Sequence, residues 1–401
     1  MSAPEPARVP HIFIIAGEES GDRLGAALIA ALRAETQGSV RLSGIGGPQM
    51  AREGIASPFP LGDLAIIGFA AIPARLPLIL RRIREAADAA LAARPDALVI
   101  IDSPDFTHRV AKRVRASAPA IPIVDYVCPS VWAWRPRRAR AMRAYVDHVL
   151  ALLPFEPEAM KKLGGPPTSF VGHPLAEQVA RLRPSAEEQR RRDSAPPLLL
   201  VLPGSRAGEI RRMAPIFGDA VGRAAAEAGP LEVVVPAVPR LAETVRAAIA
   251  TWPVPARVVV DPAEKEAAFR GARAALTKSG TSTLELALAG IPMVAAYRLP
   301  LIEALVGGAF IKVPSVILAN LVLGENAVPE FLQYNGTPAK LASALVPLLR
   351  DTPARARQVA ALARLDRIMQ IGQASPSARA AEIVLQMAGN RDSRAVEERK
   401  A

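Results

Sequence analysis

The chain alternates between short apolar runs and amphipathic helical segments along nearly its whole length. This alternation is typical of parallel sheets whose connecting helices cover both faces. The sequence therefore predicts an α/β fold with doubly wound, Rossmann-like parallel sheets. The predicted strands are 12–15, 97–101, 121–126 and 148–152 in the first half, and 198–202, 231–235, 257–260, 274–277 and 293–296 in the second.

A length of 401 residues suits two such domains, each with its own core. A polar, proline-bearing stretch at 181–197 predicts the connection between a first domain, 1–180, and a second domain, 198–370. Ser375 and Pro376 predict the start of a final helix, 375–389, which could pack on either domain or on a second subunit. The charged tail at 390–401 is expected to be disordered.

The formal net charge of +12 predicts a basic surface, which attracts anionic lipid, phosphorylated substrates or nucleic acid. Nucleic acid is disfavoured because aromatic residues make up only 4% of the chain and the arginines are scattered. The single cysteine, Cys128, excludes an internal disulfide and fits a reducing compartment. No segment reaches the roughly 18–20 uninterrupted apolar residues of a spanning helix. We expect a cytoplasmic protein without a secretory signal that could touch a membrane without crossing it.

The stretch "TKSGTSTLELALAGIP" at 277–292 places hydroxyl side chains where a strand passes into a helix. Free backbone N–H groups and the positive end of the helix dipole suit a diphosphate there. Glu285 follows Thr281 by four residues, on the same side of the helix and within reach of a sugar's hydroxyls. The alternative is a capped helix that binds no ligand.

A second loop of this kind is "VLPGSRAGEIRR" at 201–212. Its strand–turn–helix pattern brings Ser205 and Arg206 to the same edge of the second sheet, and Arg206 offers a planar fork for two phosphate oxygens. A solvated arginine after a turn is the alternative.

In the first half, "VIIDSPDFTHR" places Asp102 directly after a buried strand. A carboxylate at that sheet edge can accept a proton from an attacking hydroxyl. Asp105 is interpreted as a possible cap of the following helix. In "CPSVWAWRPRRAR", Trp132 and Trp134 could line a sugar or acyl pocket, or simply pack.

The segment "LGDLAIIGFAAIPARLPLILRRIRE" at 61–85 combines aliphatic side chains with a basic cluster. It predicts either an interfacial patch that inserts into an anionic bilayer or a core helix with a solvated end. The residues of this predicted patch are Ile66, Ile67, Phe69, Leu78, Leu80, Arg81 and Arg82.

Several common sites are missing from the sequence. It contains no Walker A motif, no Asp-x-Asp pair and no Gly-x-Ser-x-Gly elbow. The four histidines, His11, His108, His148 and His173, are too dispersed for a recognisable metal site. We therefore predict neither a metal nor a cofactor.

Nine motifs in order resemble the lipid-A-disaccharide synthase family, from about residue 11 to 387. They are "AGEESGDRLGA", "GIGGPQM", "DSPDF", "PSVWAWR", "LPFE", "FVGHPL", "LPGSR", "KSGTSTLE" and "VILANLVLGENAVPEFLQ". The resemblance implies a glycosyltransferase of the GT-B type, with two domains facing across a cleft. It also implies lipid A synthesis at the cytoplasmic face of the Gram-negative inner membrane, and allows a homodimer.

The reaction implied by the resemblance joins UDP-2,3-diacylglucosamine to 2,3-diacylglucosamine 1-phosphate, with inversion. The products are UDP and a β(1→6) disaccharide. Asp102 then matches the family's base, Glu285 resembles a ribose-holding glutamate, and Asn320 matches an asparagine near the active site. The predicted UDP-binding residues are Gly204, Ser205, Arg206, Ser279, Gly280, Thr281, Ser282, Glu285 and Asn320.

The loop "AGEESGDRLG" at 16–25 looks like a nucleotide loop but carries Glu18 and Glu19, which would repel a diphosphate. We therefore expect an acceptor-side loop whose glycines let the backbone pass close to the acceptor sugar. Its predicted acceptor-side residues are Glu19, Ser20, Gly21 and Asp22.

Two alternatives remain at this point. One is a GT-B enzyme acting on a UDP-N-acetylhexosamine, such as a 2-epimerase or a peptidoglycan transferase, which would not need the apolar patch. The other is a basic membrane- or nucleic-acid-binding protein on the same fold, whose binding would fall steeply with salt.

Overall fold

The structure is a computed structural model that describes residues 8–64, 72–299, 315–370 and 373–389. The chain divides into two compact units. The first unit runs to Pro174 and resumes at Gln373, and the second unit runs from Leu175 to Gly372. The tail predicted to be disordered, 390–401, lies outside the described residues.

The described part of the first unit contains a sheet of six strands, all paired in parallel, in the order β2-β1-β3-β4-β5-β6. The central strands β1 and β3 are buried along their whole length, which explains why they appear in the sequence as unbroken apolar runs. The strands are His11–Ala16 (β1), Arg41–Ile45 (β2), Ala97–Ile101 (β3), Ile123–Tyr126 (β4), His148–Ala151 (β5) and Thr168–Phe170 (β6).

Helices cover both faces of this sheet. Alternate residues of β1 explain the two layers: Ile12 and Ile14 face a core shared with the first helix, whereas Phe13 and Ile15 face the opposite core. The helices before the second unit are Glu19–Glu35 (α1), Pro48–Arg52 (α2), Ile72–Ala93 (α3), Pro104–Ser117 (α4), Arg137–Met142 (α5) and Glu156–Lys162 (α6).

The second unit repeats the architecture. Its described sheet also has six parallel strands, in the order β12-β11-β10-β7-β8-β9. These strands are Leu198–Leu202 (β7), Glu232–Pro236 (β8), Ala256–Val259 (β9), Ala274–Lys278 (β10), Met293–Tyr297 (β11) and Glu330–Leu332 (β12). The prediction of two doubly wound parallel sheets is confirmed.

The helices of the second unit include α9 and α12, which begin after the predicted phosphate loops. In chain order its described helices are Leu175–Leu182 (α7), Ala186–Arg192 (α8), Ala207–Ala228 (α9), Ala242–Ile249 (α10), Pro262–Gly271 (α11), Thr281–Leu288 (α12), Leu318–Leu323 (α13), Pro338–Leu349 (α14), Pro353–Ala363 (α15) and Leu365–Ile368 (α16).

The final helix, Pro376–Gly389 (α17), belongs to the first unit although it follows the second in sequence. The Ala378 N–H donates to Ser375 Oγ at 3.1 Å, which confirms the predicted N-cap. Ala380, Ala381 and Val384 are fully buried in the core that α1 shares with β1. Of the places left open by the sequence, the helix therefore packs on the first unit.

The stretch predicted as a connection, 181–197, differs in the structure: it lies inside the second unit and contains helix α8. The buried Arg192 donates to the carbonyl oxygens of Phe269 and Ala289, at 2.9 and 3.2 Å. Arg183 donates to the Leu288 carbonyl at 2.9 Å and pairs with Asp366. The arginines of this stretch suggested a solvated linker. In the structure they donate hydrogen bonds to the last carbonyl oxygens of neighbouring helices.

Candidate active site

The end of β3 brings the predicted base and the predicted acceptor-side loop together. Asp102 follows the last residue of the strand, and its Oδ2 accepts a hydrogen bond from the Ser20 hydroxyl at 3.0 Å. Its Oδ1 accepts the N–H of Ser103 at 2.7 Å. The Ser20 hydroxyl also lies 3.0 Å from Oε1 of Glu18, so its single proton is shared between the two carboxylates. The Ser103 N–H orients the Asp102 carboxylate, while the side chain remains partly accessible.

Backbone strain is concentrated around this carboxylate. Asp102 and Ser103 have φ values of +55° and +46°, and Val127 and Arg135 have +95° and +57°. Left-handed backbone is costly for non-glycine residues, above all for a β-branched valine, and such residues cluster at functional sites. Asp102, Val127 and Arg135 line one cavity of about 140 Å³, which we call the Asp102 cavity.

The glycines of the loop at 16–25 are needed for close packing against this strained segment. A Cβ on Gly17 would lie 2.2 Å from Cβ of Ser103, and one on Gly21 would lie 3.1 Å from the Ile101 carbonyl oxygen. The glycines therefore bring Ser20 within hydrogen-bonding distance of Asp102. Glu19 and Ser20 lie in the first turn of α1.

Asp22 of the same loop is buried and bonded to backbone groups. It is 1% exposed, and its carboxylate accepts the backbone N–H groups of Gly47, Gln49 and Met50 at 2.7, 2.9 and 3.0 Å. It therefore caps α2 from a distance in sequence, and its oxygens are occupied. The acceptor-side role of Asp22 stays a prediction.

Asp105 is also not the cap of α4, because the N-cap is Ser103 and Asp105 lies in the first turn. There its carboxylate lies 3.5 Å from a guanidinium nitrogen of Arg138, another residue that lines the Asp102 cavity.

The two tryptophans of "PSVWAWR" have different surroundings. Trp134 is 43% exposed, lines the Asp102 cavity and lies under the Arg135 guanidinium, 4.3 Å from its ring centre. Trp132 packs edge-on against Phe155 and donates its Nε1–H to Glu156 at 3.1 Å. Burial raises the pKa of the Glu156 carboxyl to about 7.

In the second unit, the loops after β7 and β10 line one cavity of about 410 Å³, which we call the donor cavity. The two strands are neighbours in the sheet, so their carboxyl ends meet at one edge. The predicted residues that line this cavity are Gly204, Ser205, Arg206, Gly280, Thr281, Ser282 and Glu285.

Helices α9 and α12 begin in the wall of the donor cavity, directly after Arg206 and Gly280. Neither start has a side-chain cap, so first-turn N–H groups remain for a ligand. The Arg206 side chain is 81% exposed, and its guanidinium lies 3.7 Å from the Glu209 carboxylate.

Two predicted donor residues lie elsewhere. Ser279 does not line the donor cavity and donates to the Val316 carbonyl at 3.4 Å. Asn320 is 2% exposed, and its amide both donates to the carbonyl and accepts the N–H of Val328, each at 2.9 Å. It therefore fixes the 320–328 loop, and its contact with the donor stays a prediction.

Two lysines that line the donor cavity, and one carboxylate that lies behind its wall, were not predicted. Lys265 pairs with Glu285 at 2.8 Å, and Lys278 pairs with the buried Glu209 at 3.1 Å. Lys278 and Glu209 stand inside the two recognised loops, but an acidic residue in a first helical turn is normally attributed to the helix dipole. Only the folded structure shows that Lys278 and Glu209 form an ion pair.

The predicted interfacial patch is described only in part, since Ile66, Ile67 and Phe69 lie outside the described residues. On α3, Leu76 and Leu80 are 42% and 38% exposed, and Leu78 is half-buried. Arg81 and Arg82 both pair with Glu85. Among the helices that the structure describes, none is both long and apolar enough to span a membrane.

Metal-binding clusters are also absent from the described ranges, where no three histidine, cysteine, aspartate or glutamate side chains come together to hold an ion. His108 is instead buried against Asp125, with Nε2 and Oδ2 3.0 Å apart, and against the Tyr145 hydroxyl.

Comparison with known structures gives the fold family. Calicheamicin glycosyltransferase CalG4 has a TM-score of 0.57 at 18% identity, covering 95% of this chain and 99% of that one. MurG of Acinetobacter baumannii has a TM-score of 0.55 at 15% identity, covering 94% and 99%. A Neisseria meningitidis UDP-GlcNAc 2-epimerase bound to UDP-GlcNAc has 0.60 at 12%, covering 94% and 100%. The chain has the GT-B fold.

Sequence comparison is more specific. A family model described as lipid-A-disaccharide synthetase matches residues 12–384. The chain is 62% identical to the lipid-A-disaccharide synthase of Nitrobacter hamburgensis, over 94% of this chain and 95% of that protein. It is 61% identical to that of Bradyrhizobium diazoefficiens, over 96% and 98%. The chain therefore belongs to the lipid-A-disaccharide synthase family, the glycosyltransferases of lipid A biosynthesis.

Proposed function

We propose that the enzyme transfers the diacylglucosamine unit of UDP-2,3-diacylglucosamine to 2,3-diacylglucosamine 1-phosphate, with inversion. The products are UDP and a β(1→6) disaccharide 1-phosphate. The observation that carries this proposal is the donor cavity, where two glycine- and hydroxyl-bearing loops and Glu285 share one wall.

The donor cavity suits a uridine diphosphate. Backbone N–H groups at the starts of α9 and α12 can bind phosphate oxygens, as can the exposed guanidinium of Arg206. The carboxylate of Glu285 can accept hydrogen bonds from hydroxyl groups, which suits the ribose. These groups stabilise the negative charge that grows on UDP as it leaves.

Asp102 serves as the general base. It takes the proton from the acceptor 6-hydroxyl while that oxygen forms a bond to the donor's anomeric carbon and the bond from that carbon to the diphosphate breaks. A single displacement inverts the anomeric centre. The hydrogen bonds from Ser20 and Ser103 support this role because they orient the carboxylate without blocking it.

Both substrates carry acyl chains, so the enzyme works at the membrane surface. We assign peripheral contact with the cytoplasmic leaflet to the exposed leucines of α3, supported by the net charge of +12.

The test is incubation of the purified chain with both diacylglucosamine substrates, with UDP release and disaccharide formation measured by mass spectrometry. We expect one UDP per disaccharide and a β linkage by NMR. Omitting the acceptor should abolish turnover. UDP release from UDP-N-acetylglucosamine at the same rate, or an α linkage, would refute the proposal.

A further inference from the structure

An ion pair joins the two loops of the donor cavity. Lys278 Nζ lies 3.1 Å from Oε1 of Glu209, and Oε2 of the same carboxylate accepts the Ser205 N–H at 3.0 Å. Glu209 belongs to α9, which follows β7, whereas Lys278 ends β10. The pair therefore fixes the position of one loop relative to the other.

The glycines of both loops pack against the members of this pair. A Cβ on Gly204 would lie 2.5 Å from Cβ and 2.7 Å from Oε2 of Glu209. A Cβ on Gly280 would lie 3.1 Å from Nζ of Lys278. The first loop thus needs Gly204 to let the backbone pass next to Glu209, and Gly280 lies close to the ammonium, so the ion pair is part of how the loops are packed.

Lys278 and Glu209 differ in how far each is exposed to the donor cavity. The Glu209 side chain is 3% exposed and does not line the donor cavity, whereas the Lys278 side chain is 16% exposed and does. The ammonium thus lies along the cavity wall with the carboxylate behind it. An uncompensated buried carboxylate here would repel any anion in the cavity, so the lysine offsets this charge on the side that faces a diphosphate.

We propose that Lys278 is a ligand of the donor diphosphate and that Glu209 is the positioning residue that holds its ammonium toward the cavity. The assignment of a nucleoside diphosphate to this cavity rests on the proposed function. Because the ammonium is fixed before the reaction, it stabilises the leaving diphosphate without reorganisation.

The experiment measures UDP and uridine affinity by calorimetry for the wild type, Lys278→Met, Glu209→Gln and the double variant. Lys278→Met should weaken UDP binding about 30-fold, because a charge-assisted contact is lost and Glu209 loses its nearest cation, while uridine binding changes less than about 2-fold. Adding Glu209→Gln should recover about 5-fold of the UDP affinity, since it removes the unpaired charge but leaves an acceptor for Ser205.

Lys340→Met is the matched control, because Lys340 is an exposed lysine of the same unit that does not line the cavity, and UDP affinity should not change. If Lys278→Met does not fold, Glu209→Gln is compared with the double variant, which should bind UDP about 3-fold more weakly. Equal UDP affinities in that comparison, a parallel loss of uridine binding, or no recovery in the double variant would overturn the inference. A wild type that binds no UDP would instead overturn the proposed function.

Discussion

The hydroxyl of Ser20 lies 3.0 Å from Oδ2 of Asp102, although 82 positions separate the two residues in sequence. The contact joins the start of α1 to the end of β3, and it is possible only because Gly17 and Gly21 bring their loop against the strand. It places the acceptor-side loop and the proposed base in one site.

Replacing Asp102 with Asn should lower kcat by roughly 10²–10⁴-fold, the usual range for loss of a general base. UDP affinity should be unchanged, because the diphosphate loops belong to the second unit. Steady-state kinetics with calorimetric UDP binding checks both. Asp105→Asn is the control, since that side chain is 82% exposed, and it should keep at least half of the activity.

Gly17→Ala should destabilise the first unit by about 2–3 kcal/mol, because the added methyl group overlaps Ser103 and the strained segment cannot easily move. Denaturant unfolding measures the change. Gly62→Ala is the control, because a Cβ there meets nothing within 4 Å, and its effect should stay within about 0.5 kcal/mol. Equal stabilities of the two variants would show that the loop can shift.

Glu156 should give the stability a pH dependence. Burial raises the pKa of its carboxyl from 4.5 to about 7 in the folded protein. The folded state therefore binds this proton more tightly than the unfolded state does. The stabilisation that the proton contributes is complete below pH 4.5 and is lost as the pH rises through about 7.

The stability difference between wild type and Glu156→Gln should accordingly change by about 2–3 kcal/mol between pH 5 and pH 8, to the disadvantage of the wild type at pH 8. Urea unfolding at each pH measures it. Tryptophan fluorescence should also titrate in the wild type and not in the variant, because Trp132 donates to this carboxyl. Parallel stability curves would contradict the assignment.

The double change Leu76→Ser and Leu80→Ser should reduce binding to anionic vesicles by about 10-fold, because each side chain adds apolar area to the interface. Vesicle sedimentation measures the binding, and circular dichroism should show unchanged folding. Leu332→Ser, at a leucine of the second unit that is 38% exposed, should leave vesicle binding unchanged. Loss of folding in the double variant would place these leucines in the core.

The sequence was sufficient for the parallel sheets, because fully buried strands such as β3 stand out as unbroken apolar runs between helical patterns. It was not sufficient for β6 and β12, which have three residues each and no fully buried position. Runs this short have no periodicity to detect.

The candidate site was predictable where the backbone determines it. Arg206 and Gly280 lie in the loops that follow β7 and β10. Because these two strands are neighbours, the topology alone brings both loops to the same edge of the sheet. The backbone hydrogen bonds of Asp22 and Asn320 could not be read from the sequence, because polar side chains beside glycine loops serve buried backbone groups as readily as ligands. Glu209 was missed because its partner is on another strand.

The position of α17 in the first unit has a consequence for protein synthesis. The ribosome completes the six-stranded sheet of that unit early, but the side chains that close its core, Ala380, Ala381 and Val384, emerge only after the whole second unit. Until then the apolar face of α1 and β1 is uncovered. A transcript cut short before residue 376 would therefore release a chain with an exposed aliphatic surface, a substrate for chaperones and proteases rather than a smaller enzyme.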